Sequence, residues 1–218
     1  MRISILGTGN VGDTIGSKLV ELGHDVMMGS RSANNEKALA FVAKQSGKAS
    51  AGTFADAAAF GEIIFNCTKG EASLDALKLA GAALDGKILI DVANPLDFSR
   101  GMPPGLVPAL SNFNSLGEEI QRTFPNVKVV KTLNTMWCGL MINPRMIGDG
   151  NHINYLCGNE AEAKEKVRAL LKTFGWKDEQ LLDLGDITNA RGTEAVLPIW
   201  LRVWGATKTG VFNFGIVR

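Results

Sequence analysis

The segment from Ile3 to Arg31, ISILGTGNVGDTIGSKLVELGHDVMMGSR, decides the fold of this chain. Ile3–Leu6 predicts a short buried strand, and a helical pattern follows the glycine-rich turn as far as Leu22. Asp25–Met28 predicts a second strand, which runs into Gly29-Ser30-Arg31. A strand, a tight turn, a helix and a second strand in this order are typical of a parallel βαβ unit. We therefore expect an α/β fold with a doubly wound, mostly parallel sheet.

The turn between the first strand and the helix has the spacing G-x-G-x-x-G. Gly7 permits the tight turn, Gly9 lets the backbone approach a pyrophosphate, and Gly12 lets the helix lie close to the strand. The first turn of the helix presents unpaired N–H groups and the positive end of the helix dipole to bound phosphates. This motif, in this position, predicts a dinucleotide site. Its residues are Gly7, Thr8, Gly9, Asn10, Val11 and Gly12.

The residues after the second strand select between NAD(H) and NADP(H). A site for NAD or FAD usually needs an Asp or Glu about twenty residues after the glycine motif, where it binds the ribose hydroxyls. No acidic residue occurs between Asp25 and Glu36. Instead, Arg31 offers a planar guanidinium and Ser30 a hydroxyl donor for a 2′-phosphate, and Lys37 adds positive charge. We therefore predict NADP(H), and the missing acid argues against S-adenosylmethionine and flavin dinucleotides at this turn.

Strand and helix patterns alternate well past this first unit. Short apolar runs separated by helices of about ten residues are typical of a parallel sheet that is covered on both faces. The pattern predicts a Rossmann-type sheet. The further strands are predicted at Ala49–Thr53, Glu62–Cys67, Lys87–Val92 and Val127–Lys131, and the helices at Glu36–Ser46, Phe54–Phe60, Glu71–Ala80 and Leu116–Phe124.

The character of the sequence changes after Asn134. Residues 136–150 show no clear periodicity, whereas the segment that follows again predicts short strands and amphipathic helices. We expect residues 1–150 to form the NADP-binding Rossmann domain and residues 151–218 to form a small C-terminal α+β cap domain with the acceptor site and dimer contacts. In this tail, strands are predicted at Asn154–Cys157 and Gln180–Leu184, and helices at Glu160–Phe174 and Thr188–Gly205, the last bent at Pro198.

Ligands of open α/β sheets bind at the carboxyl ends of the strands, near the point where the strand order reverses. This rule selects the loop Asn66–Gly70, in which Thr68 would flank the ribose and pyrophosphate of the cofactor. It also selects Ala93 and Asn94 after the fifth strand, and Asn134 after the sixth. The two Asn side chains offer donors and acceptors to a nicotinamide carboxamide or ribose. Asn is also a common turn former, and that interpretation equally fits Asn94, which precedes a proline.

Apolar and aromatic residues predict the substrate side. Met136 and Trp137 follow the sixth strand, where an acceptor would meet the nicotinamide, although such side chains are also common in cores. Trp200 and Trp204 lie four residues apart on the last predicted helix and share a face, for which core or dimer packing is the favoured interpretation. The Gly- and Pro-rich segment 94–108 is either a lid or a simple connection.

The sequence shows no nucleophile–base pair and no pair of carboxylates near these loops. Alcohol and hydroxyacid dehydrogenases need an acid or base positioned at the substrate oxygen. The absence of such an acid or base favours direct hydride exchange with a second planar cofactor. For that reaction the protein mainly supplies orientation and a site without water. Lys69 remains a candidate acid. We therefore expect a small-molecule redox acceptor as partner, with the catalytic residues left open.

Composition and charge argue against several other classes. A formal net charge of +1, with interspersed charges, gives neither a basic stripe for nucleic acid nor a polybasic patch for a membrane surface. The three cysteines and two histidines lack the spacing of a disulfide framework or a metal site. Met1 is too close to the first strand for a signal peptide, and no apolar run is long enough to span a bilayer. We expect a cytoplasmic protein without a metal, nucleic-acid or membrane partner.

Several segments spread over almost the whole chain carry a family resemblance. They are Gly7–Gly12, Gly29–Arg31, Val129–Thr135, Cys157–Asn159, Leu184–Asp186 and the closing helix. Together they resemble the coenzyme F420-dependent NADP oxidoreductase family, and Asp91–Pro95 and Val130-Lys131 are also similar to the oxidoreductase domains of STEAP metalloreductases. The resemblance implies an NADP-binding Rossmann domain with a small C-terminal domain, commonly in a homodimer. It also implies cofactor contacts at Thr8–Val11, Ser30, Arg31 and Lys37.

We therefore expect an NADPH-dependent reductase that passes a hydride from the nicotinamide to a planar acceptor, which the resemblance implies is coenzyme F420 or a flavin. One alternative is an NADPH-dependent reductase of a small imine, carbonyl or quinone. A second alternative is a non-catalytic NADP-sensing module, which would bind NADPH tightly and turn over with no acceptor. The sequence leaves these alternatives open.

Overall fold

The structure is a computed structural model that describes residues 1–45 and 47–217. Within these ranges it contains ten strands and eight α-helices. The strands are β1 (Arg2–Leu6), β2 (Asp25–Ser30), β3 (Ala49–Thr53), β4 (Ile63–Asn66), β5 (Ile88–Asp91), β6 (Leu96–Asp97), β7 (Gly105–Leu106), β8 (Lys128–Thr132), β9 (Asn154–Cys157) and β10 (Leu181–Asp183). The helices are α1 (Asn10–Glu21), α2 (Glu36–Ala43), α3 (Phe54–Phe60), α4 (Gly70–Ala80), α5 (Leu116–Thr123), α6 (Cys138–Ile142), α7 (Ala161–Thr173) and α8 (Ala190–Thr207).

Eight of these strands form one sheet in the order β10-β9-β8-β5-β4-β1-β2-β3. The six strands from β8 to β3 in this order are parallel. The chain moves outward in one direction from β1 to β3 and then in the other direction from β4 to β8, so β1 and β4 flank a topological switch point. Two separate apolar clusters cover the sheet, one with residues of α1, α2 and α7 and the other with residues of α3, α4 and α5. The predicted α/β, doubly wound and mostly parallel sheet is confirmed.

β9 and β10 extend this sheet beyond β8 and do not form a sheet of their own. β9 is antiparallel to β8, with Lys131 opposite Cys157, and β10 is parallel to β9. Leu181 of β10 and Ile5 of β1 belong to one buried cluster. This pairing was not predicted, because a strand pattern in the sequence does not reveal which strand it pairs with. A division into domains at residue 150 stays a prediction.

Local side-chain hydrogen bonds fix where several helices begin. Asn35 caps α2, and Thr53 and Asp56 form a reciprocal capping box at the start of α3. α2 ends at Ala43, earlier than predicted, and Ser46 lies outside the described residues. α8 runs without interruption through a proline, which removes one backbone hydrogen bond but does not end the helix.

Two segments with no predicted regular structure contain short elements. Segment 94–108 folds back on itself as the antiparallel ribbon β6–β7, in which Leu96 pairs with Leu106. Segment 136–150 contains α6 and two short 3₁₀ turns. No helix in residues 1–45 or 47–217 is long and apolar enough to cross a lipid bilayer.

A side chain of β9 holds the backbone at the end of β8. Leu133 follows β8, is fully buried, and has a φ of 62°. This left-handed conformation is strained for a bulky residue. Asn154 Oδ1 accepts the N–H of Leu133 at 3.1 Å, and the Asn154 amide donates to Thr132 Oγ1 at 3.0 Å. The segment after residue 150 therefore supports the loop that carries Asn134.

Replacing Asn154 with Ala should lower the free energy of unfolding by about 1–3 kcal/mol, because the buried N–H of Leu133 loses its acceptor. Urea unfolding, followed by far-UV circular dichroism and tryptophan fluorescence, measures this change. The control is Asn126→Ala, in which an exposed contact with Asp85 is removed and the change should stay below about 0.5 kcal/mol. The two probes should give coincident transitions, and a separate fluorescence transition would contradict the shared sheet.

Candidate functional site

Two adjoining clefts open at the carboxyl ends of the parallel strands, beside the switch point. The first cleft has a volume of about 330 Å³ and lies between the turn after β1, the end of β2 and the start of α4. The second cleft, about 370 Å³, lies between the start of α1, the loops after β4 and β5, and the ribbon β6–β7. Cys67, Thr68 and Lys69 line both clefts. One extended ligand can therefore occupy the two clefts together.

Most of the predicted site residues line these clefts. In the first cleft these are Gly7, Thr8, Gly9, Ser30, Arg31, Lys37 and Thr68, and in the second Val11, Thr68, Ala93 and Asn94. The predicted residues that line neither cleft are Asn10, Gly12, Asn134, Met136 and Trp137. The structure thus brings the glycine turn, the end of β2 and the loops after β4 and β5 to one edge of the sheet.

Two glycines of the turn are required by close backbone contacts. Gly7 has a φ of 118°, and a Cβ there would lie 2.6 Å from the carbonyl oxygen of Cys67. A Cβ on Gly12 would lie 2.3 Å from the carbonyl oxygen of Gly7, so α1 could not approach the turn. Gly12 therefore acts through packing and lies behind the first cleft. Both positions exclude any larger residue.

Gly9 differs from these two glycines, because its surroundings are open. It is the N-cap residue of α1, with φ of −82° and ψ of 179°, and no side chain in the described part of the chain caps the helix. An added Cβ would meet no atom within 4 Å. The first N–H groups of α1 and the positive end of the helix dipole are therefore accessible to an anion in the first cleft.

Three cationic side chains, Arg31, Lys37 and Lys69, line the first cleft. All three are exposed, and the lining residues that the structure describes include no carboxylate. An Arg and two Lys around an open helix N-terminus favour a ligand with more than one phosphate. Lys69, which the sequence marks only as a candidate acid, is the N-cap residue of α4 and reaches both clefts.

Ser30 and Asn35 shape the loop that carries Arg31. The buried Ser30 hydroxyl donates to the carbonyl oxygen of Ser32 at 2.5 Å and accepts the N–H of Ser32 at 3.2 Å. In this conformation the Ser30 hydroxyl donates its hydrogen bond within the loop and not to a ligand in the cleft. Asn35 lines the first cleft and accepts the N–H of Lys37 at 3.1 Å as the cap of α2. Asn35 is not among the residues predicted for the site, although an Asn just before a helix is a known capping signal.

Asn94 and Asn134 form a reciprocal pair at the second cleft. The side-chain amide of Asn94 donates to the main-chain carbonyl oxygen of Asn134 at 2.8 Å, and the side-chain amide of Asn134 donates to Asn94 Oδ1 at 2.9 Å. Asn134 is buried behind Asn94, and its Oδ1 has no hydrogen-bond partner among the described residues. A buried acceptor of this kind is costly unless a donor reaches it.

The structure places Met136 and Trp137 outside the two clefts. Met136 is buried, and Trp137 begins α6 with its ring over Gly139, where a Cβ would come within 2.2 Å of the ring. The apolar side chains that line the second cleft instead include Leu96 and Phe98 from the ribbon segment. Phe98 is about half exposed. The Gly- and Pro-rich composition of segment 94–108, which fits either a lid or a simple connection, was the sequence signal near these residues.

Cys67 is the thiol at the junction of the clefts. Burial raises its pKa far above the ordinary value, and the nearby carboxylate of Asp91 raises it further. The raised pKa disfavours the thiolate, which is the nucleophilic form of cysteine. No group of three or more potential metal ligands occurs among the residues that the structure describes.

A buried polar network begins at the loop after β4. Asn66 Oδ1 accepts the Thr68 N–H at 3.3 Å and the Thr68 hydroxyl at 2.6 Å. The Asn66 amide donates to Asp91 Oδ1 at 2.8 Å and to Ser73 Oγ at 3.1 Å. Asn66, Ser73 and Asp91 are all fully buried. Thr68 is therefore held by hydrogen bonds to the interior of the sheet.

Lys131 continues this network across β5 and β8. Its side chain is fully buried, and its ammonium donates to Asp91 Oδ2 at 2.8 Å, to Glu194 Oε1 at 2.8 Å and to the carbonyl oxygen of Ala93. These three acceptors use all three donors of the ammonium group. Burial alone would lower the pKa of Lys131, but the two carboxylates outweigh it and raise the pKa above its ordinary value. Lys131 is therefore charged.

Glu194 of α8 connects the network to the start of α5. Its carboxylate accepts the N–H of Leu116 at 2.9 Å and that of Gly117 at 3.0 Å. The helix N-terminus compensates the second carboxylate of the network, because one Lys cannot neutralise both Asp91 and Glu194. A single chain of hydrogen bonds thus runs from Thr68 to the C-terminal helix.

Replacing Gly9 with Ala should separate ligand binding from folding. The backbone at Gly9 suits Ala and the new methyl group meets no protein atom, so the stability should change by less than about 0.5 kcal/mol. The methyl group would occupy the space through which a phosphate approaches the backbone. We expect the Kd for NADPH, measured by calorimetry, to rise at least about tenfold.

The control for this experiment is Gly12→Ala, whose methyl group would clash with the Gly7 carbonyl group, so that the unfolding temperature falls as well. An NADPH affinity of the Gly9→Ala variant equal to that of the wild type would contradict a phosphate site at this turn.

Comparisons with known proteins identify the family of this chain. A family model described as NADP oxidoreductase coenzyme F420-dependent matches residues 2–95. A crystal structure described as a "putative f420 dependent nadp-reductase" from Arthrobacter sp. FB24 is 49% identical, with a TM-score of 0.93 and 100% of both chains covered. An imine reductase from Myxococcus stipitatus in complex with NADP+ is 17% identical, with a TM-score of 0.63, and covers 95% of this chain and 63% of its own. This last likeness shows a shared fold.

A curated relative is longer than this chain. Metalloreductase STEAP3 of Rattus norvegicus is 32% identical over 206 residues, which is 91% of this chain. The chain spans only 38% of the length of that protein. The near-complete match to the Arthrobacter structure extends the family assignment beyond the part that the family model matches. The chain belongs to the family of coenzyme F420-dependent NADP oxidoreductases.

Proposed function

We propose that this protein binds NADP(H) and passes a hydride between NADPH and a planar redox acceptor, coenzyme F420 or a flavin. The observation that carries the proposal is the cluster of Arg31, Lys37 and Lys69 around the open N-terminus of α1, without a carboxylate among the described lining residues. A carboxylate at the end of β2 would repel a 2′-phosphate, whereas this cluster attracts one. The relative from Arthrobacter, described as an F420-dependent NADP-reductase, supports the proposal.

The two clefts fit the two halves of the cofactor. Arg31 and Lys37 would hold the 2′-phosphate in the first cleft, and the N–H groups after Gly9 would hold the pyrophosphate. Ala93 and Asn94 would flank the nicotinamide in the second cleft. When bound, NADPH supplies the hydride, and these residues orient it.

The second cleft suits a planar, largely apolar acceptor. Five of its side chains are apolar, and Phe98 offers a partly exposed aromatic ring for stacking; the five are Val11, Val92, Ala93, Leu96 and Phe98. Transfer of a hydride to such a ring system needs mainly close approach and exclusion of water. We also propose that the protein forms a homodimer and that its partner is a small-molecule redox acceptor.

One observation favours a second candidate, the reduction of a small imine, carbonyl or quinone. Lys69 is the charged side chain that lines the second cleft, and its ammonium can donate a proton to a nitrogen or oxygen atom of a substrate. In this reaction Lys69→Met would reduce turnover strongly. With a flavin or F420 as acceptor, the same substitution would act mainly on binding. A non-catalytic NADP sensor remains the third candidate, and it predicts no turnover with any acceptor.

Replacing Arg31 with Ala should weaken NADPH binding about ten- to a hundredfold and leave NADH binding nearly unchanged, because a charge-assisted hydrogen bond to the 2′-phosphate is lost. Calorimetric titration with both nucleotides measures the difference. Arg2→Ala is a suitable control, since Arg2 is an exposed arginine that pairs with Glu62 at the amino-terminal end of β1. Equal losses for NADPH and NADH would refute the role of Arg31 in selecting the phosphorylated cofactor.

Stopped-flow mixing of the NADPH complex with F420, FMN, FAD, a ferric chelate and a cyclic imine identifies the acceptor class. We expect the absorbance of NADPH at its nicotinamide band to decay fastest with F420 or a flavin, because these rings match the apolar second cleft. Decay with the imine alone would select the second candidate. No decay with any acceptor, despite tight NADPH binding, would select the sensor.

A further inference from the structure

We infer that the buried chain Asp91–Lys131–Glu194 positions the half of the site that holds the nicotinamide, and this inference rests on the function proposed above. The key contact is with Ala93, which lines the second cleft. The N–H of Ala93 donates to Asp91 Oδ1 at 3.2 Å, and its carbonyl oxygen accepts from the Lys131 ammonium. The two charged side chains thus hold both polar groups of one residue in the cleft wall.

Asp91 also holds a second part of the wall of the second cleft, at Thr68. The oxygen that accepts from Ala93 accepts the Asn66 amide as well, and Asn66 Oδ1 holds the N–H and the hydroxyl of Thr68. The loops after β4 and β5 are therefore set by one carboxylate. The positions of both loops, which together line the second cleft, depend on its two oxygens and their partners.

Stability alone is a weak explanation for this network. The desolvation of buried charges costs about as much as their attraction gains, and well-packed apolar side chains often do as well or better. A buried charge chain does, however, fix the direction of each donor and acceptor. Here the ammonium of Lys131 is fixed from three directions, one of them through Glu194 and the start of α5. The network therefore holds Ala93 in one fixed position.

The network acts selectively: it reaches the second cleft at Ala93 and the junction of the two clefts at Thr68, but none of its described hydrogen bonds involves Arg31 or Lys37, which would hold the 2′-phosphate. Arg31 directly follows β2 and Lys37 lies in α2, and both elements are away from β5 and β8 in the sheet order. Disturbing Asp91 or Lys131 should therefore affect a ligand with a nicotinamide more than one without it. This selectivity distinguishes a positioning role from a general loss of structure.

The first test is the variant Asp91→Asn. It leaves one ammonium and one carboxylate, Lys131 and Glu194, so the remaining buried charges are paired. An amide has one acceptor oxygen where the carboxylate has two, so it cannot accept from Lys131 and from Ala93 with separate oxygens. We expect the Kd for NADPH to rise at least about tenfold, with the Kd for 2′,5′-ADP changed less than about twofold. The fluorescence of bound NADPH should also fall towards that of the free nucleotide.

The matched control is Arg191→Met. Arg191 of α8 forms a bidentate pair with Glu118 of α5, with distances of 2.8 and 2.6 Å, and so joins the same two helices as Glu194 does. It has no hydrogen bond to Ala93 or Asp91 in the described chain. Both Kd values should stay within about twofold of the wild type in this variant. Thermal melting of every variant ensures that binding is measured below its unfolding transition.

Lys131→Met is a second variant, which removes all three donors at once and should shift the two Kd values in the same selective way. An Asp91→Asn variant that binds both ligands like the wild type, or loses both equally, would overturn the inference. A wild-type protein that binds neither ligand would instead overturn the proposed function. Selective loss of NADPH in Asp91→Asn and not in Arg191→Met supports the positioning role.

Discussion

The site depends on one constraint, which is the close contact between the main chain at the end of β1 and the loop after β4. Gly7 passes so close to the loop after β4 that a Cβ would lie 2.6 Å from the Cys67 carbonyl oxygen. Gly12 then allows α1 to descend onto the same turn. These contacts bring an open helix N-terminus against the loop that Cys67, Thr68 and Lys69 share between the two clefts. A side chain at Gly7 would push this turn away from the loop and so separate the two clefts.

The features of the fold that depend on local chemistry could be predicted from the sequence. Turn glycines, helix caps and runs of apolar residues act over a few neighbours, so their spacing is visible along the chain. The parallel sheet, the glycine turn and the position of Arg31 at the end of β2 follow from such spacing. Ser30 shows the limit of this reasoning, because its position is as predicted but its proton is used by its own loop.

The features that depend on distant pairing could not be predicted. Asp91 and Lys131 are 40 residues apart, and each looks like an ordinary charged residue in its strand. Only the register of β5 with β8, which places Asp91 opposite Lys131, makes them neighbours. The antiparallel β9 is a similar case, because its apolar pattern is compatible with a separate domain and with an extension of the sheet. For the same reason the apolar wall of the second cleft comes partly from Phe98 and not from Met136.

The pairing of β9 with β8 has a consequence for how the chain can be divided. β8 would be an edge strand if the polypeptide stopped before β9, and its unpaired backbone groups would then be open to another chain. In the described chain the short strand β10, of three residues, forms that border instead. A brief border strand offers little template for intermolecular pairing. The last third of the sequence thus protects the sheet against self-association, and a fragment that ends near residue 150 would be expected to aggregate.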